Sequence, residues 1–188
     1  MGAAPASRSH MPLAKAGDRP NMVLTRTTAA IAVLALVYGA SAVELPETIA
    51  AKGETAVLQV HAEGAQIYEC KAVQAGGQLS WQSREPIASL FHDGKTVGRH
   101  YVGPTWEIGH SVVVGKVSGH FPGTTGKDIP WLKLGVSQPV DEGRLIDVTT
   151  VQRINTVGGV LEGGCEKSGD LHSEPYAADY VFLRKQQP

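Results

Sequence analysis

Short apolar runs separated by glycines recur along the chain from residue 54 to residue 184. Runs that alternate apolar and polar residues, or that are rich in Val and Ile, are typical of β-strands, and the glycines between them supply turns. They occupy residues 54–61, 66–73, 79–83, 87–92, 95–101, 111–118, 129–136 (a strand or a short helical turn), 144–155 and 176–184. No run has the spacing of a long amphipathic helix. The pattern predicts an all-β single domain, an antiparallel sandwich or barrel of about eight strands, because both architectures protect sheet edges.

Two turn signals and one strand face refine this prediction. Gly76-Gly77 and Asp93-Gly94 each separate two strand-like runs, which indicates β-hairpins. Residues 144–155 form the longest regular strand candidate, and its even-numbered face would place Gln152 in or near the interior. In residues 176–182 the even positions Tyr, Ala, Tyr and Phe share one face.

The first 42 residues have the features of an export signal preceded by an extension. Residues 22–26 form a short basic start, residues 29–38 are a ten-residue apolar run, and residues 40–42 read Ala-Ser-Ala. Ten apolar residues are too few to span a bilayer, which needs about 20, but they suit a signal peptide cleaved after Ala42. We therefore expect residues 1–21 to be a non-native extension or mis-called start, 22–42 a signal peptide, and 43–188 a single β domain.

The charge of the chain limits which partners are expected, and its cysteine content indicates the cellular compartment. The net charge is −1 over the whole chain and becomes more negative without the first 42 residues, which carry four of the basic residues. No basic run is present, so nucleic acid is not an expected partner, and no membrane span is expected after signal cleavage. Cys70 and Cys165 are the two cysteines, and in an exported protein they predict one disulfide.

The segment from residue 99 to residue 107 concentrates candidate binding chemistry. It reads Arg-His-Tyr-Val-Gly-Pro-Thr-Trp-Glu, which places an imidazole and two aromatic rings beside a rigid Gly-Pro turn. His100, Tyr101 and Trp106, together with Gln152 from the long strand, form the predicted ligand-binding cluster. The tryptophans and tyrosines also suit stacking against sugar rings, although packing of a small β core explains at least two of the three tryptophans.

Motifs for catalysis or metal binding are absent from the sequence. No histidines have H-x-H, H-x-x-x-H or H-E-x-x-H spacing, so neither a metal site nor a cofactor is predicted. There is no G-x-S-x-G elbow, and catalytic residues cannot be assigned. A hydrolase or metal-dependent enzyme that uses His100 and its neighbours is the alternative to a binding role, and a structural surface protein is the third.

Three segments carry a family resemblance. They are residues 98–107 with Gly-Pro-Thr-Trp, residues 129–134, and residues 151–159 (Val-Gln-Arg-Ile-Asn-Thr-Val-Gly-Gly), followed by Gly164-Cys165 and residues 175–180. In this order they resemble the domain-of-unknown-function family 3455, secreted proteins of fungi and bacteria. The resemblance implies an exported β-rich domain and implies no activity. One departure is Gly109-His110-Ser111, where the family has an Asp-Gly-Ser turn.

Together these features predict an exported, periplasmic or extracellular, β-rich module that binds a small molecule, glycan or envelope component without catalysis. The sequence leaves the ligand and the oligomeric state open. Whether His100, Trp106 and Gln152 line one cavity is the question that a structure answers first.

Overall fold

The computed structural model describes residues 45–74, 76–138, 140 and 142–186. Eight antiparallel strands form one closed barrel in which each strand pairs with the next and the last pairs with the first. The strands are β1 (Glu54–Ala72), β2 (Leu79–His92), β3 (Lys95–Tyr101), β4 (Thr105–Ile108), β5 (Ser111–Phe121), β6 (Trp131–Val136), β7 (Thr150–Gly158) and β8 (Leu171–Lys185). The all-β prediction is confirmed, and the architecture is a barrel.

Both predicted hairpins are present. His92 of β2 pairs with Lys95 of β3, so Asp93 and Gly94 form a two-residue turn. Their φ angles of 50° and 71° are both positive, as the type I′ turn requires. Gly76 and Gly77 lie in the loop between β1 and β2, where Ala72 pairs with Leu79.

Because the strands alternate in direction, four of the seven connections lie at one end of the barrel and three at the other. One end carries the β1–β2 loop, the β3–β4 turn, residues 122–130 and residues 159–170; we call it the disulfide end. There Cys70 of β1 is bonded to Cys165, with their Cα atoms 5.8 Å apart. The predicted pairing is thus confirmed, and it ties residues 159–170 to the wall of the barrel.

The opposite end is closed by the described part of the connection between β6 and β7, residues 142–149, and here one prediction is wrong. The expected strand over residues 144–155 begins only at Thr150, because Gly143–Leu145 form a 3-10 helix and Asp147 has a φ of 62°. Leu145 and Val148 are buried in this connection and add to the core. The apolar residues before Thr150 therefore close the end of the barrel and do not continue a strand.

A segment before β1 covers part of the outer wall. Ile49 is fully buried, and its carbonyl accepts a 2.6 Å hydrogen bond from Gln152 Nε2. Lys133 Nζ donates to the carbonyl of Ala50 at 3.0 Å. Residues 45–50 therefore contact the outward-facing side chains of Lys133 on β6, which is half-buried, and Gln152 on β7, which is buried. In the part of the chain that the structure describes, no helix is long and apolar enough to cross a membrane.

Candidate functional site

The barrel interior holds a stack of aromatic rings centred on His100. Its imidazole lies parallel to Trp106, with ring centroids 4.6 Å apart and planes 7° apart. Tyr180 of β8 packs against both, at 5.0 Å from His100 and 5.3 Å from Trp106. Phe182 meets the Trp106 ring edge-on at 6.2 Å. All four are nearly or fully buried, which shows that the face of β8 shared by Tyr180 and Phe182 is its inward face.

Strand pairing and the β3–β4 turn explain why His100 and Trp106 meet. The two residues are direct partners across β3 and β4, where cross-strand side chains lie closest. Gly103 has a φ of 92° in the turn between them, a conformation that favours glycine. Thr105 Oγ1 donates to the carbonyl of Val102 at 2.9 Å and fixes the same turn. The Gly-Pro-Thr-Trp segment thus sets the geometry of the stack.

His100 is neutral in this environment. Its Nδ1 lies 2.8 Å from the carbonyl oxygen of Thr105, so Nδ1 carries the proton and donates it. Burial lowers the pKa of His100 to about 4, and the nearby charge of Arg153 acts in the same direction, while the hydrogen bond to Thr105 opposes them. The ring is therefore a weak base whose Nε2 is the acceptor nitrogen.

The other two residues of the predicted cluster lie on the outer wall. Tyr101 is on the face of β3 opposite to His100, where its ring packs 5.0 Å from the Arg99 guanidinium. Its hydroxyl points to Glu107, which also accepts from Arg99 at 2.7 Å. Gln152 is buried as expected, but beneath residues 45–50 and not inside the barrel. The structure brings together His100 and Trp106 and does not join them to Tyr101 or Gln152.

Three residues outside the predicted cluster extend the stack toward the disulfide end. Tyr176 and Tyr180 lie on the same face of β8, with hydroxyl oxygens 3.4 Å apart. Burial raises the pKa of both phenols, so both remain protonated donors. Arg153 pairs directly with Tyr180 across β7 and β8, which places it on the inward face. Its charge opposes the rise in pKa at each tyrosine.

Gln66 of β1 completes the set from across the β1–β8 pairing. It is 6% exposed, and a Cβ added at Gly159 would lie 3.3 Å from its Cγ and 2.9 Å from Cβ of Tyr176. Gln66 and Tyr176 therefore flank the same point at the disulfide end. Gly159 has a φ of 88°, so glycine is needed there for both backbone and space.

Two interior donors have no hydrogen-bond acceptor among the described residues. They are Nε1 of Trp106 and Nε2 of Gln66, and both atoms are buried. Buried polar atoms in proteins are nearly always paired, so each exception requires an explanation. The remaining unpartnered buried atoms belong to Glu54, Trp131 and Thr149, which lie on the outer wall or at the opposite end.

Sequence reasoning overlooked Gln66 and Arg153 as site residues. The inward face of residues 144–155 was inferred from the even-numbered positions, including the apolar residues 146 and 148, and these two belong to the closing connection. The available signal was that Arg153 follows Val151 by two residues, because residues two apart lie on the same face of a strand and Val151 is buried. Gln66 sits two positions before buried Tyr68, on the face that also carries Cys70.

The other tryptophans lie away from the interior. Trp131 is half-buried on the outer wall and its ring centroid is 6.3 Å from that of Phe121, which is 41% exposed. Trp81 packs beside the disulfide, 5.7 Å from the ring of His172. Among the described residues, no group of three His, Cys, Asp or Glu side chains is arranged to hold a metal ion.

A surface imidazole–carboxylate pair is a second cluster. His61 Nδ1 lies 2.9 Å from Asp179 Oδ1, and Asn155 Nδ2 donates to the other Asp179 oxygen at 2.8 Å. Nε2 of His61 faces Glu63 at 3.7 Å. Since each ring nitrogen faces a carboxylate, the pair ties three strands together on the outer wall and presents no nitrogen to a nucleophile.

Comparison with known proteins yields a family and no further relative. Residues 50–184 match the model of the family described as Protein of unknown function (DUF3455). No curated protein and no solved structure matches the chain. The match begins before β1 and ends at Arg184, one residue before the end of β8, so it covers nearly the whole barrel.

Proposed function

As this chain belongs to the DUF3455 family of proteins of unknown function, we propose that it is an exported module that binds a small molecule inside its barrel. The binding site is the disulfide-end half of the interior. The residues that define it are His100, Trp106, Gln66, Tyr176, Tyr180 and Arg153. This proposal keeps the binding role predicted from the sequence. It places the site among residues that face the barrel interior, whereas the predicted cluster also contained Tyr101 and Gln152 of the outer wall.

The observation that carries the proposal is the pair of unpartnered interior donors at Trp106 and Gln66. Burying an amide or indole N–H without an acceptor costs about 1–3 kcal/mol each. A barrel with a purely structural role gains stability when apolar side chains occupy such positions. Donors kept inside a barrel are accounted for if a ligand supplies the acceptors. Eight-stranded barrels have room for one small ligand at most, which limits its size.

His100 does not suit the alternative role of a catalytic base. A general base works best when its pKa is near the operating pH, whereas burial lowers the pKa of His100 to about 4. Glu107, the carboxylate of the same hairpin, lies on the face of β4 opposite to Trp106 and pairs with Arg99, so it does not orient His100. Within the site, His100 is better suited to accept a hydrogen bond from a ligand through Nε2.

The disulfide supports the exported location. It joins residues 95 positions apart, a linkage that persists in oxidising compartments and is rare in the cytosol. The predicted signal peptide over residues 22–42 lies outside the described residues. We propose periplasmic or extracellular delivery on these two grounds together.

A thermal-shift screen of the protein beginning at Val43, with its disulfide formed, tests the proposed function. The screen covers small carboxylic acids, their neutral amides, glycans and divalent metals. A ligand at a hundred times its Kd stabilises the folded state by about 2.7 kcal/mol, which a melting curve detects readily. We expect at least one organic small molecule to raise the melting temperature.

Two variants on the same strand locate the binding site. Gln66→Leu removes the interior donor, and Gln59→Leu changes an exposed residue of β1 in the same way. We expect Gln66→Leu to abolish the ligand-induced shift and Gln59→Leu to retain it. A screen without any shift, or a ligand whose shift survives Gln66→Leu unchanged, contradicts binding in the interior.

A further inference from the structure

The charge of the interior indicates which ligand it takes. Arg99 on the outer wall has Nη2 2.7 Å from a carboxylate oxygen of Glu107, and Arg84 pairs with Glu85 at 3.1 Å. Arg153 has no carboxylate partner among the described residues, although it is half-buried on an inward face. Lys133 is also half-buried and held by a backbone carbonyl, so what distinguishes Arg153 is its position on the inward face of the barrel.

Backbone contacts hold the Arg153 guanidinium but leave part of it free to bind. Its Nε and Nη2 both donate to the carbonyl of Pro130, at 3.0 and 2.9 Å. A guanidinium has five N–H donors, and these two bonds leave the Nη1 pair unused by that carbonyl. The Pro130 contact fixes the position of the group, while its charge stays uncompensated.

The interior groups on the same side of the barrel as Arg153 are uncharged and include several donors, beside the acceptor Nε2 of His100. The hydroxyls of Tyr176 and Tyr180 are protonated, and the Gln66 amide is an unpartnered donor that is 94% buried, since 6% of the residue is exposed. No Asp or Glu is among the buried residues that the structure describes. A site with one cation, several N–H and O–H donors and no negative charge complements an anion that accepts hydrogen bonds.

The walls select an organic anion over a small inorganic one. Trp106, Tyr180 and Phe182 pack edge to face in the interior, and a ligand that enters beside them would meet aromatic rings, which favour an apolar or aromatic body. A planar carboxylate also matches the fork of a guanidinium. Resting on the proposed interior site, we propose that the barrel binds a small organic carboxylate with an aromatic or apolar body, with Arg153 as the residue that neutralises the carboxylate.

The test compares anions with neutral molecules of the same shape. Isothermal titration and thermal shift are measured for benzoate, phenylacetate and cinnamate against the corresponding amides, with inorganic phosphate and sulfate as simple anions. We expect at least one of the three carboxylates to bind at least about tenfold more tightly than its amide, since a charge-assisted bond is lost in the amide. Binding should weaken as sodium chloride rises, less steeply than for an exposed ion pair.

Variants then assign the charge to one residue. Arg153→Gln should weaken carboxylate binding at least about tenfold, and Arg153→Lys should restore part of it because the charge returns without the fork. Arg184→Gln, an exposed position on the neighbouring strand β8, is the matched control and should bind as the wild type does. If Arg153→Gln fails to fold, the carboxylate–amide comparison on the wild type still decides.

The outcomes separate this inference from the proposed function. If the amides bind as tightly as the carboxylates and Gln66→Leu abolishes their binding, the ligand need not be an anion. Binding in the interior of the barrel then still stands. If phosphate or sulfate binds as tightly as the organic acids, the proposal that the ligand has an aromatic or apolar body is wrong. Failure of every carboxylate and amide to bind overturns this inference, and a screen in which no compound of any class binds overturns the proposed function as well.

Discussion

Replacing His100 by a residue that cannot titrate should change how stability depends on pH. In the unfolded chain a histidine takes up a proton below its ordinary pKa of 6.5, whereas His100 in the barrel does so only below about 4. Because the folded pKa is depressed, the unfolded state binds more protons between these values. Folding stability contributed by neutral His100 is therefore complete above pH 6.5 and is lost as the pH falls toward 4.

The size of the loss follows from the shift in pKa. Each unit corresponds to 1.36 kcal/mol, so a fall from 6.5 to about 4 amounts to about 3 kcal/mol. Asparagine at position 100 keeps an amide donor for the carbonyl of Thr105 and has no charge to gain. The difference in unfolding free energy between wild type and His100→Asn should thus be about 3 kcal/mol smaller at pH 4 than at pH 7.5.

Urea unfolding of both proteins at several pH values, followed by tryptophan fluorescence, measures this difference. Other groups titrate over the same range, but their contributions cancel in the comparison of the two proteins. His110→Asn, in the exposed turn between β4 and β5, is the control and should follow the wild type at every pH. A difference between wild type and His100→Asn that stays constant from pH 7.5 to 4 would refute the description of His100 as a buried neutral group.

Three further predictions concern the ring stack, the disulfide and the export signal. Trp106→Ala should lower the unfolding free energy by about 3–5 kcal/mol in chemical denaturation, because a fully buried indole is lost. Gln66→Leu should lower it by less than about 1 kcal/mol, because the donor that is removed has no acceptor. Replacing Cys70 and Cys165 by serine should cost about 4–5 kcal/mol in the same assay, since the bond closes a loop across a sequence separation of 95, and a cost near zero would contradict it. N-terminal sequencing of exported protein should begin at Val43; material that retains residues 29–42 would contradict cleavage after Ala42.

The all-β class, the hairpins and the disulfide could be predicted from the sequence because their signals are local or allow one solution. Asp93-Gly94 fixes a hairpin by its own backbone preferences, and the alternation of Tyr176, Ala178, Tyr180 and Phe182 defines an inward face without reference to other strands. The two cysteines allow one pairing. Closure into a barrel instead of a sandwich depends on β1 pairing with β8, a long-range contact that no local pattern encodes.

The site could be predicted only in part, for the same physical reason. His100 and Trp106 are close in sequence and join across one hairpin, so their proximity followed from the turn. Gln152 is buried by residues 45–50, which cover the outer wall, and burial alone does not tell which wall a residue faces. Arg153 enters the site through register with Tyr180 on β8, which depends on where β7 begins.

The indole N–H resonance of Trp106 tests interior binding most directly. In a nitrogen-15 spectrum the three tryptophans give one indole signal each, and tryptophan-to-phenylalanine variants assign them. During titration with the compound that gives the largest thermal shift, the Trp106 signal should move as its unpartnered donor gains an acceptor, while those of Trp81 and Trp131 stay in place. Saturable binding that shifts Trp81 or Trp131 and leaves Trp106 unmoved would contradict a ligand site inside the barrel.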